Sequence, residues 1–257
     1  MKKMNLIFLS FLLLACGSKT EDAGQIDSSS SDLAIYDFHQ DHVNCLISSE
    51  QPGDTPWTLA LGEWLDECLG GCYDGDPRDM KALVAFYGEA KTDSLRTALD
   101  DPDADVELEF EAIVERVYET DRFVTYSLST YIGLGGAHPL SMEEGVTFRK
   151  SDGRRLDWSI VRNSMRGELN ELIKSSLMDY LGVANEEELE TYMARTDIYD
   201  IPLPQTPPYL LENGVAFIYQ PYELMAYAMG MPADTIGYER MMPLLTSNVQ
   251  RLIEHDN

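Results

Sequence analysis

The sequence predicts an α+β fold in which an antiparallel sheet, built from hairpins, carries helices packed on one face. Apolar residues recur at helical spacing in some parts of the chain and alternate with polar residues in others. Helices and strands come in segregated blocks, which favours α+β over a strictly alternating α/β architecture. The hydrophobic fraction of 44% is high enough for a sizeable core.

The chain opens with a segment typical of lipoprotein export. Two lysines precede an apolar run that ends at Leu14, and Ala15 stands directly before Cys16. The run is shorter than the roughly 20 residues that a bilayer span requires. We therefore expect residues 1–15 to be a signal peptide and Cys16 to carry acyl chains, palmitate among them, that anchor the chain to a membrane.

Residues 16–32 have the composition of a flexible tether, because they include a serine run and almost no large apolar side chain. Lys19, followed by Glu21 and Asp22, resembles the export signal that sends Bacteroidetes lipoproteins to the outer cell surface. A generic polar tether, which leaves the leaflet open, is the alternative. We expect a chain of the cell envelope, lipid-anchored in the outer membrane, with one domain over residues 33–257.

The charge of the chain limits its partners. It has 45 acidic and 19 basic side chains and a formal net charge of -26. Such a field repels nucleic acid and anionic headgroups and speeds encounters with cationic partners. We therefore expect no nucleic-acid binding. Solubility alone is the other explanation for this acidity.

The first part of the domain, residues 33–105, is predicted to be helical. Thr55-Pro56 is typical of a helix start, an apolar stripe follows at helical spacing, and Gly70-Gly71 is typical of a helix end. Asp76-Pro77 predicts the start of a second helix. The aspartate-rich residues 100–105 lack the glycine and glutamate of a calcium-binding loop, so we expect a solvated turn there.

Residues 106–257 are predicted to form a sheet-rich core with a C-terminal helix. From Val106, apolar residues alternate with glutamates, which predicts a strand with one apolar and one acidic face. Its hairpin partner is expected over residues 123–132, a second hairpin at Asn213-Gly214, and an amphipathic closing helix over residues 241–253. The acidic face of the sheet would be solvated or would meet a partner.

Three cysteines other than Cys16 are present: Cys45, Cys68 and Cys72. Disulfides form in exported proteins, and an odd number of cysteines allows at most one bridge within the chain. We expect Cys45 to pair with Cys68 or Cys72. A buried, free thiol at Cys68 is the alternative.

No catalytic constellation is visible. The sequence contains no Gly-x-Ser-x-Gly, no His-Glu-x-x-His and no glycine-rich phosphate loop after a strand. His39, His42 and Cys45 are spaced closely enough for zinc, but their segment indicates a strand rather than a metal knuckle. We therefore expect no catalytic residue, metal or other cofactor. An enzyme without a recognisable motif, acting on cell-wall or glycan material, is the alternative.

Two clusters are the best candidates for a binding site. The first is the loop after residues 123–132, where adjacent glycines let another group approach the backbone closely. The second follows the Asn213-Gly214 hairpin and combines tyrosines with methionines, which suit an adhesive surface. A structural loop and core packing are the respective alternatives. The candidate binding residues are Tyr131, Gly135, Gly136, His138, Tyr222, Glu223 and Tyr227.

Several motifs, taken in order, resemble the C-terminal extracellular domain of the RsiV family. That domain is shared with PdaC-type peptidoglycan deacetylases and with lipoproteins of unknown function. The resemblance extends from about Leu33 to the C-terminus. The motifs are Gly135-Gly136-Ala137-His138 after Tyr131, residues 145–155, Asn213-Gly214, Pro221-Tyr222-Glu223 and residues 227–230.

The resemblance implies a recognition domain, because the family's best-understood members are anti-sigma factors whose extracellular domain binds lysozyme. We expect neither a membrane-spanning helix with a cytosolic segment nor a deacetylase domain, so those activities are not carried over. The first hypothesis is an anchored module that binds a lysozyme-like cationic protein or a peptidoglycan fragment. The alternatives are the enzyme described above and a structural subunit of an envelope complex.

Overall fold

The computed structural model describes residues 32–99, 106–193 and 201–254. Within these ranges the chain forms eight strands in two sheets and six α-helices, so the predicted α+β class is confirmed. None of the helices in these ranges combines the length and the apolar character of a membrane span. Cys16, the tether up to residue 31 and the aspartate-rich residues 100–105 lie outside the described residues.

The first sheet has five strands, and one of its strand pairs is parallel. Its spatial order is β1 (Asp32–Gln40), β2 (Val43–Gln51), β3 (Leu108–Glu119), β4 (Phe123–Gly133) and β5 (Leu140–Arg149). Neighbouring strands are antiparallel except β2 and β3. A parallel pair requires a crossover connection. Here the crossover contains the helices α1 (Thr58–Leu69) and α2 (Met80–Ala98).

The expectation of a helical part over residues 33–105 needs a correction, because this part also contains β1 and β2. The two strands form a hairpin whose loop is Asp41-His42, with φ angles of 52° and 62°. Positive φ at both loop residues is the geometry of a type I′ turn, for which Asn-Gly is the usual sequence. Sequence reasoning misses this hairpin because Asp-His carries no glycine.

The first hydrophobic core lies between the five-stranded sheet and the two crossover helices. Trp64 and Leu65 of α1, Leu83 of α2 and Ile47 of β2 belong to one cluster and are at most 1% exposed. These side chains lie on the apolar stripe of each helix and on one face of the sheet. The predicted packing of helices on one face of this sheet is therefore observed.

Both crossover helices begin a few residues later than Thr55-Pro56 and Asp76-Pro77 suggest. In α2 the N-cap is Asp79, whose carboxylate accepts from the backbone amide of Ala82 at 3.0 Å. Pro77 instead packs against α1. A Cβ added to Gly62 would lie 1.9 Å from the carbonyl oxygen of Pro77, so only glycine allows this approach.

The second half of the domain forms a three-stranded antiparallel sheet with helices beside it. The strands are β6 (Tyr209–Leu211), β7 (Gly214–Ile218) and β8 (Ala233–Gly237), in that spatial order. The helices are α3 (Arg166–Leu181), α4 (Glu186–Glu190), α5 (Tyr238–Met241) and α6 (Ser247–Ile253). Apolar side chains of α3, β7 and α6 form a second core. The hairpin predicted at Asn213-Gly214 is present, but its two-residue loop is Glu212-Asn213, because Gly214 already pairs with Leu211.

The closing helix is interrupted, contrary to expectation. α5 ends at Met241, a 3₁₀ turn covers Met242–Leu244, and α6 begins at Ser247. Pro243 lies in this turn, and a proline inside a helix removes a hydrogen bond and clashes with the preceding turn. The apolar spacing is still used, because Leu245 is fully buried.

The three-stranded sheet packs on the face of the first sheet that points away from α1 and α2. The Thr125 hydroxyl donates to the carbonyl oxygen of Leu210 at 2.8 Å, and the Leu210 amide donates to Thr147 Oγ1 at 2.9 Å. Beside them Tyr209 lies against Gly145 of β5, where an added Cβ would be 2.2 Å from the ring. The first half of β4 is buried and its second half is not. The second sheet thus covers one end of this face and leaves the other end open.

A buried carboxylate closes the first core at the C-terminal end of β2. Glu50 is 8% exposed and accepts from the Arg116 guanidinium at 2.6 and 2.8 Å and from the Tyr126 hydroxyl. Arg116 also donates to Glu119 at 2.5 Å, and Glu119 pairs with Lys150 at 2.5 Å. Each of these charges has an opposite charge beside it, which burial of an ion requires.

Candidate binding surface

The β4–β5 loop, residues 134–139, presents one of the two candidate clusters. Gly135 has a φ of 67°, and a Cβ there would lie 2.4 Å from Val106 Cγ1, so the loop packs tightly at this point. Gly136 has open space around it, with no atom within 4 Å of an added Cβ. His138 follows and is exposed. The loop therefore holds one glycine in place and presents the histidine to solvent.

The second cluster begins with a tight turn at residues 220–223. The Glu223 amide donates to the carbonyl oxygen of Gln220 at 3.1 Å, which closes the turn. Pro221 occupies its second position, and Tyr222 occupies the third with a φ of 68°. This is the arrangement of a type II turn, in which glycine or asparagine is the usual third residue. A tyrosine here carries backbone strain on the order of 1 kcal/mol.

Polar contacts on both sides hold this strained turn in place. The Glu223 carboxylate accepts from the amides of Gln220 and Gln205 at 2.8 and 2.7 Å. The Gln220 side chain bonds both backbone groups of Glu143 on β5, at 2.7 Å to the carbonyl oxygen and 3.3 Å from the amide. The predicted binding residue Glu223 thus fixes the turn itself, and Gln220 holds the turn against the edge of β5.

His138, Tyr222 and Tyr227 meet and form what we call the aromatic surface. The His138 and Tyr227 rings are stacked, with centroids 3.8 Å apart and an interplanar angle of 17°. The Tyr222 and Tyr227 centroids are 5.6 Å apart. The Tyr227 hydroxyl donates to the carbonyl oxygen of Pro139 at 2.5 Å, which ties the second cluster to the β4–β5 loop.

The hydrogen bonds of His138 define its neutral tautomer. Nδ1 lies 3.1 Å from the carbonyl oxygen of Pro139, which can only accept, so Nδ1 carries the proton. In the neutral ring Nε2 is then an acceptor, and it lies 3.2 Å from the Tyr222 hydroxyl, which donates. The polar atoms of the three rings are therefore occupied, either by one another or by the carbonyl oxygen of Pro139. Tyr222 is nevertheless 60% exposed, so its apolar ring is available for contact.

Tyr131 lies apart from the aromatic surface, on the open end of the sheet face. Strand register places Glu111 of β3 beside Tyr131, and Tyr131 beside Ser141 of β5. We call this part of the sheet the open acidic face. Its members, which the two-residue period places on the same side, are Asp37, Glu109, Glu111, Tyr131 and Glu143.

Two carboxyls of the open acidic face have raised pKa values. Partial burial raises the pKa of Glu111, and the neighbouring charge of Glu109 adds to the effect. Burial also raises the pKa of Glu143, against the opposing effect of a 2.6 Å hydrogen bond from the Ser129 hydroxyl. Carboxylates crowded in this way lower their electrostatic energy when a cation binds between them.

The aromatic surface adjoins the open acidic face. Pro139, which accepts from Tyr227, precedes β5 directly, and Ser141 of β5 already lies on the open face beside Tyr131. The turn carrying Tyr222 is bonded to Glu143 of the same strand through Gln220. The aromatic surface is therefore joined to the open acidic face at β5, beside Glu143.

The structure brings together three of the seven predicted binding residues, His138, Tyr222 and Tyr227. Two supporting residues, Pro139 and Gln220, escape sequence reasoning because they act through a backbone carbonyl and a cross-strand amide. The order Pro221-Tyr222 is the one local signal that could have indicated a type II turn.

The predicted disulfide is not formed, because the three cysteines within the described residues are free thiols. Cys45 is buried on β2 with its thiol 3.7 Å from the carbonyl oxygen of Gly88 in α2. Cys68 lies 3.7 Å from the Glu144 carboxylate of β5, and burial, followed by that charge, raises the pKa of its thiol. Strands β3 and β4 lie between β2 and β5, which keeps these two cysteines apart. Cys72 is exposed.

The fold is that of a two-sheet α+β domain, and residues 160–239 match the family described as "Protein of unknown function (DUF3298)". A DUF3298 family member from Bacteroides fragilis has a similar crystal structure, with a TM-score of 0.67, 19% identity, and coverage of 88% of this chain and 98% of that one. A DUF3298 family protein from Pseudomonas aeruginosa gives a TM-score of 0.61, 13% identity, and coverage of 86% and 97%. At these identities the likeness shows a shared fold. No curated protein matches the chain.

Proposed function

We propose that this chain is a lipid-anchored recognition module of a bacterial cell envelope, which binds a lysozyme-like cationic protein through the aromatic surface and the open acidic face. The observation that carries the proposal is Tyr222, a large ring that is 60% exposed and held in a strained backbone conformation. Strain of this kind tends to occur at functional sites. Exposed tyrosines are also enriched among the residues that dominate binding energy.

The charge of the chain supports a cationic partner. A net charge of -26 gives long-range attraction that raises the association rate, and this attraction weakens with salt. The acids of the open face lie beside the aromatic surface, so a partner drawn in by charge would arrive where the rings can make contact. The RsiV-type resemblance adds the expectation that this partner is lysozyme-like.

Binding of lysozyme to the purified full chain, measured by calorimetry at low and moderate salt, tests the proposal. We expect binding that weakens with salt, and a loss of about tenfold or more in affinity for Tyr222→Ala. Tyr192→Ala is the matched control, because Tyr192 is also exposed, at 39%, but lies after α4. Absence of binding at both salt concentrations would reject lysozyme as the partner, and equal losses in the two variants would reject the aromatic surface as the binding site.

The lipid anchor is a separate part of the proposal and rests on the Ala15-Cys16 pattern after the apolar run. Cys16→Ala should abolish incorporation of labelled palmitate and move the chain from the membrane fraction to the aqueous fraction. Accessibility of the intact chain to an added protease on whole cells then tests whether it faces the cell surface. Membrane retention of the Cys16→Ala chain would contradict the anchor.

A peptidoglycan fragment is the second candidate, favoured by the near-parallel stack of the His138 and Tyr227 rings. A flat aromatic stack offers an apolar platform for the apolar face of a sugar ring. In a calorimetric titration, a purified muropeptide should then bind the Tyr227→Ala chain more weakly than the unchanged chain. Turnover of the muropeptide during the titration would instead favour the alternative of an enzyme.

A further inference from the structure

A cleft lined by arginines lies between the segment that follows β5 and the helix α6. We call it the arginine cleft. It has a volume of about 240 Å³, and Arg149, Arg154 and Arg155 line it on one side. Asn248 and Thr246 line it from α6 and its N-cap. A cleft of this size holds a small head group but not a folded protein segment.

The charge of the arginine cleft is opposite to that of the chain as a whole. None of the residues that line it is acidic, whereas the chain carries more than twice as many acids as bases. Asp152, Asp157 and Glu67 lie just outside this lining and offset much of its charge, so the attraction for a small anion is local to the Arg154 guanidinium.

One of the three guanidinium groups is free to bind a ligand. Arg149 is paired with Asp152, with Nε 2.8 Å from Oδ1, and Arg155 is paired with Glu67 at 2.5 Å. The Arg154 guanidinium forms no ion pair or hydrogen bond with the residues that the structure describes. Its five donors are therefore available, and their fork matches the two oxygens of a carboxylate or a phosphate.

A tight hairpin turn fixes the position of Arg154. The amide of Gly153 donates to the carbonyl oxygen of Arg149 at 2.8 Å, and the amide of Arg149 donates to the carbonyl oxygen of Arg154 at 2.9 Å. Gly153 has a φ of 70°, and an added Cβ would lie 2.1 Å from the carbonyl oxygen of Pro56. Asp152 also accepts from the Arg154 amide at 3.2 Å. The turn is thus packed on the chain before α1, and Arg154 extends from an ordered backbone.

The floor of the arginine cleft is apolar, which limits the ligand further. Ile160 and Val249 are buried in the second core, and Leu252 is half-buried beside them. A purely ionic ligand would gain nothing from these side chains, whereas a short apolar body would cover the exposed part of Leu252 above the floor of Ile160 and Val249.

We propose that the arginine cleft binds an amphipathic anion, with a carboxylate or phosphate head on the Arg154 guanidinium and a short apolar body on Ile160, Val249 and Leu252. This site is independent of the aromatic surface. The β4–β5 loop precedes β5 and Arg149 ends it, and the ten residues of the strand separate the two sites by roughly 30 Å.

Calorimetric titration of the full chain with hexanoate and with hexyl phosphate tests this inference. Both probes carry the same apolar body, so the comparison distinguishes the carboxylate head from the phosphate head. Hexylamine is the probe of opposite charge. We expect at least one anion to bind, hexylamine not to bind, and Arg154→Gln to weaken binding at least fivefold. Arg78→Gln, a substitution of another exposed arginine on the entry to α2, should leave the affinity unchanged.

An NMR titration checks the location of the site through the backbone amide signals that shift when the anion is added. Residues 154–160 and 246–252 should respond, and the β4–β5 loop should not. Binding of hexylamine with similar affinity, an unchanged affinity in Arg154→Gln, or shifts confined to other residues would each overturn the inference. None of these outcomes depends on whether lysozyme binds.

Discussion

Tyr222 is the residue at which backbone preference and surface chemistry conflict. Its φ of 68° lies where the Cβ of an L-residue crowds the following carbonyl. In this conformation its hydroxyl reaches Nε2 of His138 at 3.2 Å. The contacts of Gln220 and Glu223 keep the turn closed, so the surrounding structure maintains a conformation that the tyrosine alone would avoid.

Comparing Tyr222→Gly with Tyr222→Ala isolates the energetic cost of the strained backbone, because both variants lose the ring and its hydrogen bond. We expect the glycine variant to be more stable than the alanine variant by about 1 kcal/mol, since only alanine retains the Cβ clash. Urea unfolding followed by tryptophan fluorescence measures the difference.

The control for this comparison is Ala137→Gly, at an exposed position without a positive φ. There glycine should lower the stability, because it only adds conformational freedom to the unfolded chain. A Tyr222→Gly variant that is equal to or less stable than Tyr222→Ala would contradict the strained turn.

At the scale of elements, the contact between the two sheets depends on a glycine, which has no side chain to keep them apart. Gly145 of β5 faces the Tyr209 ring of β6, and an added Cβ would lie 2.2 Å from it. The hydrogen bonds of Thr125 and Thr147 to Leu210 fix the sheets at the same place, so the ring cannot move away freely.

Gly145→Ala should therefore lower the free energy of unfolding by about 2 kcal/mol, the usual cost of overpacking a tight interior. Gly136→Ala is the matched control and should change the stability by less than about 0.5 kcal/mol, because its surroundings are open. Thermal unfolding followed by circular dichroism compares them. Equal melting temperatures would mean that the sheets are not in close contact at β5.

The raised pKa of Glu143 predicts the sign of a pH dependence. A folded-state pKa above the unfolded value means that the folded chain binds this proton more tightly, so its contribution to stability falls as pH rises above about 4.5. Glu143→Gln should then raise the melting temperature at pH 7 and have little effect near pH 4. The glutamine oxygen still accepts from the Ser129 hydroxyl.

Glu63→Gln, on the exposed side of α1, provides the comparison for this pH series. Its melting temperature should follow that of the unchanged chain at both pH values. A destabilised Glu143→Gln chain at pH 7 would show that the carboxylate is stabilising, contrary to the direction of its pKa.

Some elements could be predicted from the sequence and others could not, for identifiable reasons. β3 is predictable because its glutamates alternate with apolar residues, and β4 because it is rich in aromatic and β-branched residues; both are local information. The parallel pairing of β2 with β3 was not, since no local pattern specifies which distant strand will lie alongside. The apolar spacing predicts a closing helix that is too long, because this spacing continues through Pro243 whereas the α-helical backbone is interrupted there.

At the scale of the whole molecule, the ion network of Glu50 joins β2, β3 and β4. We expect Glu50→Ala to destabilise the chain by about 2 kcal/mol, because it removes one of the two carboxylates paired with Arg116 and leaves the buried Tyr126 hydroxyl without its acceptor. Glu67→Ala removes an exposed partner of Arg155 and should cost less than about 1 kcal/mol. Chemical denaturation measures both, and comparable losses would mean that the network is no more than a surface pair.

The candidate site combines what local sequence indicates and what only the whole fold provides. Glycines and tyrosines mark the two clusters that contain His138 and Tyr222. Nothing in the local sequence indicates that these clusters meet, because the two residues are 84 positions apart and come into contact only when β5 and the turn after β7 are in place. The arginine cleft likewise depends on α6 closing against the turn that follows β5.

β3 reaches its place beside β2 only after the chain has closed a loop that contains both α1 and α2. Loop closure costs entropy before any strand contact offsets it, so this docking step is slow compared with formation of the β1–β2 hairpin. Until then the inner edge of the hairpin has unpaired amides and carbonyls beside the apolar Ile47. β2, which ends in the interior of the sheet, therefore has an edge that is open to pairing with another chain during folding.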